Sequence, residues 1–354
     1  MMKPLCLLCL MCLLCVGPAG AAPVQTVALP NMTATQVTVS GLSSGAYMAV
    51  QFEVAFSQTV QGAGIVAGGP YFCSQGSALI ATISCSCTSE LFPCRVHPGG
   101  TRINELIAFT DWFAGAGGID PPAALAGHHI WMFSGSADTV VPQPVMNDLY
   151  FYYRHYIDAD HISYTRNLPA EHAMPTDQFG NSCATLGTPY INNCGYDAAG
   201  ELLRWIYGPL TPRNNGALSG RLIAFDQSEF LPLPGWHGMA ETGYLYVPKA
   251  CDANNGAGCR LHVAFHGCQQ DLDDIGTTFV ERAGYNAWAD SNKIVVLYPQ
   301  ASAIYPYTNP KACWDWFAYD DPRYAQKSGN QMAAVKRMVD RLTGVAPATV
   351  LVRR

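Results

Sequence analysis

The segment that decides the fold reads Val37-Thr-Val-Ser-Gly41-Leu-Ser43-Ser-Gly45-Ala-Tyr-Met-Ala-Val-Gln-Phe-Glu-Val-Ala-Phe-Ser57. Its first residues alternate apolar and polar side chains, which predicts a short strand. After Ala46 the apolar residues recur at helical spacing, which predicts a helix. Between the two, Gly41, Ser43 and Gly45 form a G-x-S-x-G turn. A tight turn from strand to helix predicts a nucleophile elbow, with Ser43 Oγ exposed at a helix N-terminus.

Strand and helix patterns alternate along the rest of the chain. We predict strands at 60–67, 129–133, 162–165, 222–225, 243–247, 260–265 and 294–298, and helices at 103–113, 142–157, 198–206, 278–290 and 330–342. This alternation predicts an α/β fold with a mostly parallel central sheet and helices on both faces.

The position of the elbow predicts how the strands are connected. A hydrolase sheet usually reaches its elbow midway, whereas here the elbow strand comes first. The strands at 222–225, 243–247 and 260–265, which we predict to form a meander, come afterwards. We therefore predict a circularly permuted α/β-hydrolase fold in which the strand 294–298 adjoins the elbow strand.

Composition limits the class of protein. The 354 residues are 49% hydrophobic and 13% charged, enough apolar material for one large domain or two small ones. No internal repeat or linker is visible, so we expect a single catalytic domain over 23–354. The net charge of −6 argues against a nucleic-acid partner, which usually selects basic clusters.

The N-terminus predicts export. Residues 1–22 contain Lys3, an apolar run from Leu5 to Val16, and Ala19-Gly20-Ala21, the pattern of a signal peptide with an A-x-A-type cleavage site. The run is too short to cross a membrane, and no later segment is long and apolar enough. We expect a secreted, monomeric protein, either extracellular or periplasmic, without a membrane span.

Cysteine usage agrees with export. Ten of the 14 cysteines follow the signal, an even number that predicts disulfides. Cys183 with Cys194, and Cys251 with Cys259, are the predicted local pairs, each stabilising the fold by about 2–3 kcal/mol through loop closure. No two C-x-x-C units occur, so we predict no zinc site, and no other metal or cofactor.

The elbow serine requires a base and an acid. In this architecture the order along the chain is Ser, acid, His, with each residue following a strand. Asp138 ends a strand in a Gly-x-x-Asp turn, and His172 lies in the loop after the next strand. We therefore predict Ser43, Asp138 and His172 as a catalytic triad, and keep His155 and His237 as alternative bases.

An oxyanion hole requires two backbone N–H groups. Ser44, directly after the nucleophile, supplies one. The second is expected from a His-Gly loop after a central strand, and His266-Gly267-Cys268 has that pattern, so we predict the Cys268 N–H as the other donor.

Five segments together resemble a known family. They are Gly-Leu-Ser-Ser-Gly-Ala-Tyr-Met, Ser-Gly-Ser-Ala-Asp, His-Ala-Met-Pro-Thr-Asp, His-Gly-Cys-Gln-Gln and Cys-Trp-Asp-Trp-Phe. The set resembles single-domain polyhydroxybutyrate depolymerases, secreted serine esterases with a circularly permuted α/β-hydrolase domain. The resemblance implies the triad and oxyanion donors named above. It also implies hydrolysis of 3-hydroxybutyrate esters, or related short-chain polyhydroxyalkanoates, through an acyl-enzyme.

An insoluble polyester must be bound through apolar contacts. No appended binding domain is visible, so we predict that aromatic residues at the mouth of the site bind it: Tyr305, Tyr307, Trp314 and Trp316. Two alternatives remain open. One is a feruloyl or acetylxylan esterase of the same superfamily, and the other is a non-catalytic protein that binds polymer surfaces.

Overall fold

The computed structural model describes residues 25–346, in which eight strands form one sheet and three short strands form another. In chain order the strands are β1 (Thr35–Leu42), β2 (Val60–Val66), β3 (His129–Phe133), β4 (Ile162–Thr165), β5 (Met174–Thr176), β6 (Asn181–Ser182), β7 (Ile191–Asn193), β8 (Arg221–Asp226), β9 (Thr242–Val247), β10 (Arg260–Phe265) and β11 (Ile294–Tyr298). The large sheet has the order β4-β3-β2-β1-β10-β11-β9-β8, and the small one β5-β7-β6. In the large sheet only β9 runs antiparallel to both of its neighbours, so the sheet is mostly parallel, as predicted.

Ten α-helices connect or cover these strands within the described residues. They are α1 (Ser44–Ala55), α2 (Ala78–Ile83), α3 (Ile103–Gly115), α4 (Gln143–Tyr156), α5 (Ala198–Tyr207), α6 (Lys249–Asp252), α7 (Leu272–Ile275), α8 (Thr278–Arg282), α9 (Tyr285–Asn292) and α10 (Asn330–Thr343). Three short 3₁₀ turns lie at Pro122–Gly127, Ala159–His161 and Pro234–His237.

The sheet is buried on both faces. On β3, Ile130 and Met132 pack into a core that includes residues of α1, α4 and α10, while Trp131 and Phe133 pack into a second core with residues of α5 and α9. Adjacent residues of a strand point to opposite faces, so one strand contributes to both cores. This confirms the prediction of helices on both faces.

Of the seven predicted strands, four have the observed bounds and the other three lie within one residue of them. Three details are wrong. The helix predicted over 278–290 is two helices, because Gly284 adopts φ 98° between α8 and α9. The strand β11 does not adjoin the elbow strand: β10 pairs with β1 on one side and β11 on the other. For the same reason β8, β9 and β10 are not a meander, since β11 lies between β9 and β10.

Five disulfides link the described residues. The predicted pairs Cys183–Cys194 and Cys251–Cys259 are confirmed. The other three are Cys73–Cys85, Cys87–Cys94 and Cys268–Cys313, and the last spans 45 residues. Within 25–346, no helix has both the length and the apolar character needed to span a membrane. The predicted signal peptide, residues 1–22, lies outside the described residues.

Candidate active site

Ser43 occupies the turn between β1 and α1 in a backbone conformation that residues other than glycine rarely adopt. Its φ is 57° and its ψ is −125°, and its N–H donates to the carbonyl of Val66 on β2. The flanking glycines make this turn possible. A Cβ on Gly41 would lie 2.1 Å from the Gly45 carbonyl oxygen, and a Cβ on Gly45 would lie 2.3 Å from the His266 carbonyl oxygen. The strained backbone therefore holds the serine at the carboxyl edge of the sheet, at the start of α1.

Asp138 and His172 meet because their strands are neighbours. Asp138 follows β3 and His172 follows β4, and these strands pair in parallel, so the loops after them lie side by side. The His172 Nδ1 lies 2.9 Å from Asp138 Oδ2. The other carboxylate oxygen, Oδ1, accepts the backbone N–H groups of Val140 and Val141 at 2.9 and 2.8 Å. An ionised carboxylate only accepts, so it selects the tautomer with hydrogen on Nδ1 and leaves Nε2 as the basic nitrogen.

Ser43 and His172 line one cavity of about 540 Å³, and Ser44 and Cys268 line it with them. The side chain of His172 is otherwise buried, as is that of Asp138. The structure therefore brings together the five residues predicted for catalysis and for the oxyanion hole.

The loop that follows β10 lies directly against Ser43. A Cβ on Gly267 would lie 3.2 Å from the Cβ of Ser43. The Gly267 N–H donates to Gln270 Oε1 at 2.7 Å, and the Gln270 amide in turn donates to the carbonyls of Pro189 and Tyr190. The disulfide of Cys268 with Cys313 ties this loop to the segment 299–328. These contacts hold the backbone around Cys268, and Cys268 and Ser44 line the same cavity, as the predicted oxyanion hole requires.

His266 supports this loop from within the core. Burial lowers the pKa of its imidazole to about 4, so the ring is neutral near pH 7. Its Nε2 accepts the Ala301 N–H at 3.0 Å, which leaves the hydrogen on Nδ1 to be donated to the Gly267 carbonyl at 2.7 Å. A neutral ring with one donor and one acceptor fixes the loop without placing a positive charge beside the site.

The four predicted aromatic residues have different environments. Tyr307 lines the cavity and is 91% exposed, whereas Tyr305 is 73% exposed and does not line it. Trp316 lines the cavity, but its ring is largely covered by stacking on Tyr47, with centroids 4.0 Å apart. Trp314 is fully buried, and its placement at the polymer-binding surface is wrong. The reason is that its indole packs beneath the loop after β10 and donates to the His266 carbonyl.

The remaining predicted alternatives lie elsewhere. His155 is on α4 against the ring of Tyr156. His237 pairs with Asp320, its Nδ1 2.8 Å from Oδ1, but does not line the catalytic cavity. Across residues 25–346, no group of three or more His, Cys, Asp or Glu side chains is placed to hold a metal ion.

The sequence-based reasoning missed Glu171. Its side chain is buried and turned toward the loop that carries Asp138, where it accepts hydrogen bonds from Thr139 and from the backbone of His172. The available signal was a carboxylate directly before His172 in the sequence. The sequence alone does not show which groups that carboxylate contacts.

Comparisons with known proteins find relatives of this chain that are named as depolymerases. No family model matches the chain. It is 48% identical over 311 residues to "Poly(3-hydroxybutyrate) depolymerase" of Delftia acidovorans, an alignment that covers 87% of this chain and 60% of the relative. It is 40% identical over 338 residues to "Polyhydroxybutyrate depolymerase" of Talaromyces funiculosus, covering 91% and 94%. The chain thus spans about 60% of the length of the Delftia relative.

Two solved structures share the fold. One is a PHB depolymerase from Penicillium funiculosum, and the other is a serine-to-alanine variant of a PHB depolymerase complexed with an R3HB trimer. For each the TM-score is 0.80 and the identity 38%, and the match covers 91% of this chain and 100% of the other.

Proposed function

This chain belongs to the polyhydroxybutyrate depolymerase family, and we propose that it is a secreted serine esterase that hydrolyses 3-hydroxybutyrate ester bonds. One observation carries the proposal: His172, which is hydrogen-bonded to Asp138, lines the same cavity as Ser43 at its strained elbow. The names of the relatives, and the R3HB trimer bound in a related structure, support this choice of ester.

The geometry supports an acyl-enzyme mechanism. Ser43 Oγ attacks the ester carbonyl while His172 Nε2 takes its proton, and Asp138 stabilises the imidazolium that forms. The N–H groups of Ser44 and Cys268 donate to the oxygen on which negative charge develops. His172 then protonates the departing hydroxyl end of the chain. Water activated by the same imidazole releases the acyl group and restores Ser43.

The mouth of the cavity suits an apolar polymer. Tyr307 and Leu186 both line the cavity and remain exposed, at 91% and 47%. A polyester surface offers methyl and methylene groups with few donors, so adsorption depends on apolar contact area. We assign adsorption to Tyr307, Leu186 and the neighbouring Tyr305, with Trp316 forming the wall of the cavity behind them.

Two further features of the protein belong to this proposal. Five disulfides favour an oxidising compartment and so support export, and we also propose that the enzyme is monomeric. The elbow strand β1 opens the described chain yet lies at the centre of the sheet, while the antiparallel strands β8 and β9 come late. This arrangement supports a circular permutation of the hydrolase fold.

The decisive experiment is product analysis after incubation with a polyhydroxybutyrate suspension. We expect clearing of the suspension and release of 3-hydroxybutyrate or its oligomers, with neither from the Ser43→Ala variant. An organophosphonate should label Ser43. Release of ferulate from an arabinoxylan without clearing would assign the chain to carbohydrate esters instead. A protein that binds the polymer but is not labelled would be a non-catalytic binder.

A further inference from the structure

Glu171 connects the two loops that carry the acid and the base. Its Oε1 accepts the Thr139 hydroxyl, and the Thr139 N–H donates to the carboxylate at 3.2 Å. The other oxygen, Oε2, accepts the backbone N–H of His172. Thr139 directly follows Asp138, and His172 directly follows Glu171. The Glu171 carboxylate therefore binds both Thr139, the residue after the acid Asp138, and the backbone of the base His172.

Two carboxylates, those of Asp138 and Glu171, accept the backbone N–H groups of the loop that carries Asp138. Asp138 holds the N–H groups of Val140 and Val141 through its own Oδ1, and Glu171 holds the residue between them and Asp138. Backbone contacts bring the two loops together nearby, since the Ala137 N–H donates to the Ala170 carbonyl at 3.2 Å. The Asp138–His172 distance is therefore set by contacts on both sides of the pair.

The hydrogen bonds of Glu171 require a side chain whose two terminal atoms both accept, as those of a carboxylate do. It is only 8% exposed, and the groups that it accepts from are neutral N–H and O–H donors. Burying a charge without a cation is unfavourable unless several donors compensate it. An amide in the same place would turn an NH₂ group toward an N–H or O–H donor. The Glu171 N–H itself donates to the Cys183 carbonyl at 2.9 Å, so the residue is also anchored to the Cys183–Cys194 loop.

From these contacts we propose that Glu171 is a positioning residue that keeps His172 aligned with Asp138 and Ser43 during the reaction. It acts through Thr139 and the His172 backbone, since it is not among the residues that line the catalytic cavity. The inference rests on the proposed esterase function and adds a fourth side chain to the triad assembly. Its effect should appear in kcat, because misplacement of a reacting group by a fraction of an ångström lowers the rate of the chemical step.

Two substitutions separate the parts of this contact. Glu171→Gln keeps the shape and removes the second acceptor oxygen, and Thr139→Val removes only the hydroxyl donor. On a soluble short-chain p-nitrophenyl ester, we expect Glu171→Gln to lower kcat by about 10- to 100-fold, with KM within about twofold of the parent enzyme. Thr139→Val should lower kcat by a smaller factor, and Thr139→Ser, which keeps the hydroxyl, should restore it.

A spectroscopic measurement makes the test independent of the substrate. The proton shared by His172 Nδ1 and Asp138 should give a low-field ¹H NMR resonance, which we expect to shift or broaden in Glu171→Gln. The matched control is Glu105→Gln, an exposed glutamate on α3 that pairs with Arg102. It should leave the resonance and kcat unchanged.

Three results decide the matter. If folded Glu171→Gln retains parental kcat and an unchanged resonance, the proposal is wrong, although the esterase function stands. If Glu171→Gln does not fold, equal kcat values for the parent, Thr139→Val and Thr139→Ser overturn the proposal. If the parent does not hydrolyse esters at all, the proposed function fails, and the NMR signal still reports whether Glu171 sets the Asp138–His172 geometry.

Discussion

The indole Nε1 of Trp314 donates a 3.0 Å hydrogen bond to the backbone carbonyl of His266. The two rings also pack together, with centroids 5.5 Å apart. The backbone N–H of Trp314 lies 3.4 Å from the Ser44 hydroxyl, so one buried tryptophan contacts both segments from which we propose the oxyanion donors come. Trp314 is therefore part of the buried framework that supports these two segments, and its ring is not exposed for contact with a polymer.

Trp314→Phe should lower kcat on soluble and polymeric esters alike. The smaller ring keeps most of the packing but removes the bond to His266, so the loop with Cys268 is less firmly held. We expect a loss of about tenfold, less than the 10²–10³ seen when an oxyanion donor is deleted outright. Steady-state kinetics on a p-nitrophenyl ester measures it.

The matched control for that variant is Trp288→Phe. Trp288 is also buried and also donates from its Nε1, but to Asp197, away from the catalytic cavity. It should cost stability without lowering kcat. Equal losses of kcat in the two variants would show that Trp314 acts only through general stability.

His172→Ala should lower kcat by roughly 10⁴ or more while the fold stays intact, because the serine loses its base. His237→Ala is the matched control, since His237 Nδ1 lies at a similar hydrogen-bond distance from a carboxylate, that of Asp320, outside the cavity. That variant should keep parental kcat. A near-normal rate for His172→Ala, measured as initial velocity with a soluble ester, would move the base to another histidine.

Tyr307→Ser and Tyr305→Ser should weaken hydrolysis of a polymer film several-fold more than hydrolysis of a soluble ester. Both rings are exposed, so they contribute contact area to a surface while the triad is untouched. Trp316→Ser should lower both activities, because its ring packs on Tyr47 inside the cavity wall. The ratio of film erosion to p-nitrophenyl ester turnover is the measurement.

Trp112→Ser, which changes a 64% exposed ring on α3, serves as the control for those variants. It should leave the ratio unchanged. A parallel fall of both activities in Tyr307→Ser would place adsorption on another part of the surface.

Asp271→Asn should stabilise the protein at pH 8 but not near pH 4. Burial, with the nearby Asp274 and Asp273, raises the pKa of the Asp271 carboxyl to about 7. Between pH 4 and 7 the folded state therefore holds a proton that the unfolded chain has lost, so the free energy of unfolding falls as pH rises through this range. The asparagine removes this loss, so its stabilising effect should increase as the pH is raised from 4 to 8.

Denaturant unfolding at the two pH values tests this prediction, with Asp273→Asn as the control. Asp273 is exposed and next to the same site, so its removal should change stability little. The explanation is wrong if Asp271→Asn changes the free energy of unfolding equally at both pH values.

Local patterns in the sequence determined much of what was found. The glycines around Ser43, the alternation along β1 and the even number of cysteines each report on interactions between residues close in the chain, or on a property of the chain as a whole. Sterics at Gly41 and Gly45 act within a few residues, and the period of a strand or helix is set by its own backbone. For that reason the elbow, the bounds of seven strands to within one residue and two short-range disulfides could be predicted.

Only the tertiary structure decided which distant segments meet. The placement of β10 between β1 and β11, the burial of Trp314 beneath His266 and the contact of Glu171 with Thr139 all join residues far apart in sequence. The local sequence around a residue does not show whether its side chain faces solvent or another loop. That depends on the order of strands in the sheet, which is set by the summed packing of the whole core. The same tryptophan-rich segment therefore contributes one residue to the framework and another to the cavity wall.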